Sequence, residues 1–210
     1  MVPIDNTLVT NPDGSYRNRA NGFGVRLPAA LGAAPVRFSS GGAWLSFSLQ
    51  GARGRGQVAA NSERFAGALP GVAVRYTVGN IGLAEALTLH GKRVPASFSY
   101  MIHASAGVSP RSLAGGTIGF VDASGRVRLT IAGPRMYALA APGRRWSVSS
   151  RLVAVAGGWR FTLRPDPRFV AGVLGAGGSV VIDPTVFPGN NVYLSHAVGD
   201  RAGFFDADDI

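Results

Sequence analysis

Residues 71–89 read Gly-Val-Ala-Val-Arg-Tyr-Thr-Val-Gly-Asn-Ile-Gly-Leu-Ala-Glu-Ala-Leu-Thr-Leu. The first half alternates. Val72, Val74, Tyr76 and Val78 fall on one side, and Ala73, Arg75 and Thr77 on the other. Successive side chains of a strand point to opposite faces, so this pattern predicts a strand with one buried face. Gly79, Asn80 and Gly82 tolerate the positive φ that a tight reversal needs. Leu87 and Leu89 then share a face again, while Glu85, Ala86 and Thr88 are less clearly placed. The stretch predicts an antiparallel hairpin between 72–78 and 85–89 with Val74 and Leu87 buried.

Outward from this hairpin the same logic recurs. Asn11-Pro12-Asp13-Gly14 is a turn signal, and Phe23, Val25 and Leu27 alternate with Gly24 and Arg26. Val36 and Phe38, a turn over 39–42, and Leu45, Phe47 and Leu49 predict a second hairpin, with Ser46 and Ser48 facing out. Phe98, Tyr100 and Ile102 alternate with Ser97, Ser99 and His103. Residues 118–121 and 127–131 flank the turn Asp122-Ala-Ser-Gly125. Gly157-Gly158 turns a strand over 148–155 into Trp159, Phe161 and Leu163, and residues 180–182 form the last strand, closed by Asp183-Pro184. Residues 134–142 read as a connection, and 166–174 as one short helical turn. About a dozen closely spaced strands without helical periodicity predict an all-β fold, an antiparallel β-sandwich or two stacked sandwich units. A parallel sheet needs crossover helices, and none is long enough. The module is expected over residues 1–186, with a candidate sub-boundary near 92–95, and residues 187–210 are an unassigned tail or the start of a truncated next domain.

Composition agrees. Gly 30 and Pro 13 give 43 of 210 residues, a turn-rich proportion below the range of low-complexity disorder. A chain this long buries about 70% of its unfolded surface and needs no disulfide. It has no cysteine, which removes thiol catalysis and cysteine-type zinc sites. The run from Phe169 to Ile182, fourteen residues with four glycines, falls short of the ~20 apolar residues of a spanning helix, so no transmembrane segment is expected. Met1 leads directly into Val-Pro-Ile-Asp-Asn without a secretory leader pattern.

Charge is uneven. Residues 1–170 carry 20 basic and 6 acidic groups (+14), and residues 171–210 carry 1 and 5 (−4). A basic domain attracts anionic polymers, but the arginines are scattered along the chain without a nucleic-acid reader motif. Lys92 is the one lysine, which points to coding bias as the source of the arginines. The glycine-rich loop 51–56 carries Arg53 and Arg55 and lacks the Lys-Ser/Thr ending of a phosphate loop; it reads as a mobile hairpin tip.

Reactive constellations are sparse. His90, His103 and His196 show no metal-ligand spacing. Glu63 and Glu85 are the only glutamates, too few to suggest an acid with a partner, and no Gly-x-Ser-x-Gly elbow occurs. Asp200, Asp206, Asp208 and Asp209 resemble the opening of a calcium loop, but the closing glutamate is missing, so a solvated acidic tail is expected. No catalytic, cofactor-binding or metal-binding residue is nominated, and no cofactor is expected.

Six segments, taken in order, resemble a known module. They are residues 2–9 (Val-Pro-Ile-Asp-Asn-Thr-Leu-Val), 13–23, 68–77 (Ala-Leu-Pro-Gly-Val-Ala-Val-Arg-Tyr-Thr), 85–89, 119–125 (Gly-Phe-Val-Asp-Ala-Ser-Gly) and 181–185 (Val-Ile-Asp-Pro-Thr). Over about residues 2–186 they resemble the amino-terminal β-module of secreted actinobacterial DNRLRE-domain and RHS (YD)-repeat wall-associated proteins. The resemblance implies a non-enzymatic structural or adhesive module, exported or at the cell surface, whose partners are downstream domains of the same polypeptide. The family pattern continues upstream with a leader, and the tail does not follow the expected next domain, so a fragment or truncated gene product is expected. The rival reading is a binding module for carbohydrate or an anionic cell-wall polymer, working through arginines and aromatics such as Tyr16, Trp44 and Trp159. An unrecognised enzyme is a third. Specific nucleic-acid recognition is not expected.

Overall fold

A computed structural model describes residues 3–189. The first strands are β1 (Asp5–Thr10), β2 (Tyr16–Ala20), β3 (Gly24–Leu27), β4 (Ala30–Leu31), β5 (Val36–Ser40), β6 (Ala43–Leu49), β7 (Gly54–Arg55) and β8 (Gln57–Ala59). Next come β9 (Ser62–Leu69), β10 (Val72–Val78), β11 (Leu83–Leu89), β12 (Phe98–Ala104), β13 (Val108–Ser112), β14 (Ile118–Asp122) and β15 (Val127–Ile131). The remainder are β16 (Arg135–Ala138), β17 (Trp146–Ser147), β18 (Ser149–Val155), β19 (Gly158–Arg164), helix α1 (Pro167–Gly175), β20 (Val180–Asp183) and β21 (Thr185–Pro188).

Two large sheets face each other. One runs β1-β2-β3-β5-β6-β12-β19-β18; the other follows β13-β14-β15-β21-β11-β10-β9-β8, with β20, β16 and β17 branching from β11. Every pairing among the described residues is antiparallel. The fold is an all-β sandwich. Phe38, Leu45, Phe98, Ile102 and Leu163 from the first sheet meet Phe65, Val74, Phe120, Leu87 and Ile182 from the second in one continuous core. Ring contacts cross the interface at Phe47–Tyr76 (6.3 Å) and Phe120–Trp159 (6.0 Å). Each such side chain, fully buried, contributes on the order of 2 kcal/mol. Along one side the sheets are joined by the Leu8 N–H, which donates to the Ala60 carbonyl (2.9 Å).

The organising hairpin forms as its sequence requires. Val72 pairs with Leu89, Val74 with Leu87 and Val78 with Leu83, and the Gly79 N–H closes the loop on the Gly82 carbonyl (2.9 Å). Val74 and Leu87 have no exposed surface. The second hairpin, β5–β6, also forms, and its turn is tighter than the sequence suggests. Ser40 pairs with Ala43, leaving only Gly41 and Gly42, whose φ of 55° and 82° are the positive values a two-residue hairpin turn demands.

Other segments differ from their sequence reading. The connection over 134–142 contains β16, which pairs with β20, and residues after Pro184 form β21 between β15 and β11. The helical turn is a nine-residue helix. Asp166 caps it, its carboxylate accepting from the Arg168 (2.7 Å) and Phe169 (3.3 Å) amides, and Pro167 occupies the first turn, where its missing N–H costs nothing. The glycine-rich loop 51–56 is not a free hairpin tip. Gly54 and Arg55 pair with β4, and the Arg53 and Gly56 amides donate to the Ala68 and Ala29 carbonyls (both 3.0 Å). Strands from both sides of residues 92–95 are neighbours in both sheets: β12 lies between β6 and β19, and β20 and β21 lie beside β11. No described helix is long and apolar enough to cross a membrane. His196, Asp200, Asp206, Asp208 and Asp209 lie outside the described residues.

Candidate anion-binding face and a buried carboxyl row

The outer face of the eight-stranded sheet carries a row of arginines. Tyr16, Val25 and Phe38 point to the core side, so period-two alternation sends Arg17, Arg26 and Arg37 outward. Register then aligns them, with Arg17 opposite Arg26 and Arg26 opposite Arg37 on three adjacent strands. All three are exposed. Directly opposed like charges destabilise a sheet, so this row has a cost that the fold itself only partly relieves. Arg26 forms an ion pair with Asp13, and its Nε donates to Ser15 Oγ (3.0 Å). Hydrogen bonds from Ser15 hold the Asp13 carboxyl below its ordinary ionisation range, so it stays charged. The Arg37 guanidinium lies 4.2 Å from the Trp44 ring centroid. No carboxylate of the described residues lies within ion-pair distance of Arg17 or Arg37.

Two open cavities meet along this row. One, of about 490 Å³, is lined by Asn11, Asp13, Arg17, Arg26 and Arg37 among others. The second, of about 520 Å³, includes Asn21, Ser40 and Trp44. They share Gly24, Arg37 and Ser39 and so form a continuous trough. Gly24 keeps its floor low, since a Cβ there would stand 2.8 Å from Ser39 Oγ. The arrangement can hold a chain of negative charges lying across the strands.

Of the three aromatics nominated from sequence, only Trp44 belongs to this face. Tyr16 packs against the core, and Trp159 stands edge-on to Phe120 between the sheets. His103 is exposed on the same face, its Nδ1 2.8 Å from the Gly157 carbonyl oxygen. His90 follows β11 in the other sheet. Among the described residues no three metal-ligating side chains cluster. The arginine alignment escaped sequence reading because it depends on strand register. The available signal was an arginine at an outward position in each of three early strands, β2, β3 and β5.

A second arrangement lies inside the sandwich. Glu63 on β9 and Glu85 on β11 are both directly opposite Tyr76 on β10. The only two glutamates of the chain thus flank one tyrosine on the core side of the sheet, and both are buried. The Tyr76 hydroxyl donates to Glu85 Oε1 (2.7 Å). Tyr100, from the facing sheet, brings a second buried hydroxyl toward Glu85 without closing a hydrogen bond of good geometry. A cavity of about 20 Å³, room for roughly one water, adjoins Glu85 and Tyr100. Both Glu63 oxygens lack a hydrogen-bond partner among the described residues. Desolvation pushes each carboxyl up to about 7; for Glu85 the tyrosine hydroxyls partly offset it and the Asp183 charge adds to it. Neither glutamate lines the trough.

Fold and face together define an antiparallel β-sandwich with a cationic outer trough. No protein-family model, no curated protein and no solved structure matches the chain.

Proposed function

We propose that this chain is a non-enzymatic adhesive module that holds an anionic polymer in the trough on its eight-stranded sheet. The row of Arg17, Arg26 and Arg37, opposed strand to strand with a single ion-paired carboxylate among the described residues, carries this reading. A polyanion lying across the row supplies the missing counter-charges and turns a destabilising alignment into binding energy. The segments that resemble the amino-terminal β-module of DNRLRE-domain and RHS-repeat proteins support the rest. They favour a secreted or cell-surface protein with further domains after this one; the acidic wall polymer as partner is proposed from the arginine row itself.

The test is titration with a soluble polyanion such as polygalacturonate across a range of salt. Each neutralised guanidinium releases condensed counter-ions, so affinity falls steeply as salt rises. Arg17→Ala with Arg37→Ala is expected to lower affinity about tenfold or more at low salt and to flatten the salt dependence. Arg53→Ala with Arg55→Ala, outside the trough, is expected to change it far less. Unrelated DNA sequences should bind alike, since phosphate contacts carry no sequence information. Undiminished binding by the Arg17/Arg37 variant, or affinity indifferent to salt, overturns the proposal.

A further inference from the structure

Glu63 has no exposed surface, and neither of its carboxyl oxygens has a hydrogen-bond partner among the described residues. What covers it on one side is thin. The backbone of Gly56, at the end of the glycine-rich loop, lies against the carboxyl so closely that a Cβ built on Gly56 would overlap Oε1. Ala52, buried in the core with its N–H on the Leu49 carbonyl (3.3 Å), anchors the start of that loop; the rest is held by few bonds: the Arg53 N–H to the Ala68 carbonyl, the Gly56 N–H to the Ala29 carbonyl, and the two-residue pairing of β7 with β4.

Among the described residues, the charges around the row offer the carboxylate no counter-ion. Tyr76 on β10 faces it, with its hydroxyl committed to Glu85. Glu85 on β11, Tyr100 on β12 and Asp183 on β20 complete the ionisable groups that act along the row, and none is a cation. On β8 the opposing residue is Val58. Arg64 and Arg75 are opposite each other on the other face of the sheet. In the loop, the Arg53 guanidinium donates to the Ala52 carbonyl (2.9 Å), and Arg55 is exposed.

We propose that the proton on Glu63 keeps the 51–56 loop closed, and that its loss releases the loop. A neutral carboxyl sits beneath the glycine backbone at modest cost. A bare carboxylate there must reach water, because burying an unpaired charge is far costlier than parting a few loop hydrogen bonds. Gly56, which lies against the carboxyl, is itself half-buried, so displacing the loop brings water to it. Release frees Arg53 and Arg55 to move while the core strands stay paired. The raised ionisation of Glu63, near 7, places the transition close to neutrality.

Amide hydrogen exchange at Arg53 and Gly56 tests this, followed from about pH 5 to about pH 8 and corrected for the intrinsic pH dependence of exchange. The expected result is a loss of protection of about tenfold or more at both amides as pH rises. Glu63→Gln should hold the protection flat. Glu85→Gln should leave the loop response in place, since Tyr76 stands between the two carboxyls. Constant protection in the parent chain, or an equal loss in Glu63→Gln, overturns the proposal. Should Glu63→Gln fail to fold, a carboxyl-carbon titration of the parent chain decides: a Glu63 midpoint near 7 is expected, and an ordinary midpoint of about 4 to 5 overturns it.

Discussion

At the scale of the residue, the two glutamates decide how stability varies with pH. Glu85 is 4% exposed, and its carboxyl is pushed up to about 7 from an ordinary 4.5, chiefly by burial. A raised folded-state value means that the native state holds the proton more tightly than the unfolded chain does. The stability this confers is fully present below about pH 4.5 and is lost as pH rises toward 7. A shift of this size corresponds to about 3 kcal/mol. Burial also raises the Asp183 carboxyl, which acts in the same sense; three other aspartates act in the opposite sense. Asp5, Asp13 and Asp122 are held below their ordinary range by hydrogen bonds from neighbouring groups, so their contribution vanishes as pH falls through the acid range. Maximum stability is therefore expected at mildly acidic pH. Urea unfolding at about pH 5 and pH 8 should show the midpoint falling with pH, and Glu85→Gln should remove a large part of that fall, Glu63 and Asp183 carrying the rest. A midpoint that rises with pH contradicts this account.

At the scale of the element, the β10–β11 hairpin is central to the second sheet, since β9 flanks it on one side and β20 and β21 on the other. Val74 lies opposite Phe65 and Leu87, all with no exposed surface. Val74→Asp places an unpaired carboxyl in the core and should destabilise the protein by several kcal/mol, about 3 to 5. Val74→Ile, apolar and only slightly larger, should cost about 1 to 3. Calorimetric or urea unfolding separates the two, and equal stability of Val74→Asp and the parent would show that this strand is not interior. The hairpin was legible because its pattern is uninterrupted over seven residues and bounded by glycines. Helix α1 was half legible: Asp166-Pro167 marks its start and the expected span was close, but Gly172 and Gly175 argued for a single turn where nine residues are helical. Strands β16 and β21 were not legible. Each is four residues long, and pairing with distant strands, not local alternation, makes them strands.

At the scale of the whole molecule, the two sheets share one core and each draws strands from both halves of the chain. Residues 92–95 link β11, in one sheet, to β12, in the other. Removing the chain beyond this link takes β12 from the side of β6 and takes β20 and β21 from the side of β11, leaving long apolar edges and an uncovered core. The chain is therefore expected to unfold in a single cooperative step, with neither half folding alone. Trp44 lies before the link and Trp159 after it, so single-tryptophan versions can report on the halves separately. Coincident urea transitions at the two positions are expected, and well-separated transitions would establish two independent units.

The sequence by itself determined the class of fold, the two principal hairpins and the lack of thiol chemistry. Alternation of period two and glycine-bounded turns are local properties, and burial of one face follows from them directly. Tertiary structure decided everything that depends on which strands become neighbours. Arg17, Arg26 and Arg37 are spread over twenty-one residues, yet register sets them side by side. Glu63 and Glu85 look like a sparse pair in the chain, and pairing of β9 and β11 to β10 places them either side of Tyr76. The physical reason is the same in both cases: side-chain chemistry is written locally, but charge, desolvation and access arise from neighbours that only the closed sandwich supplies.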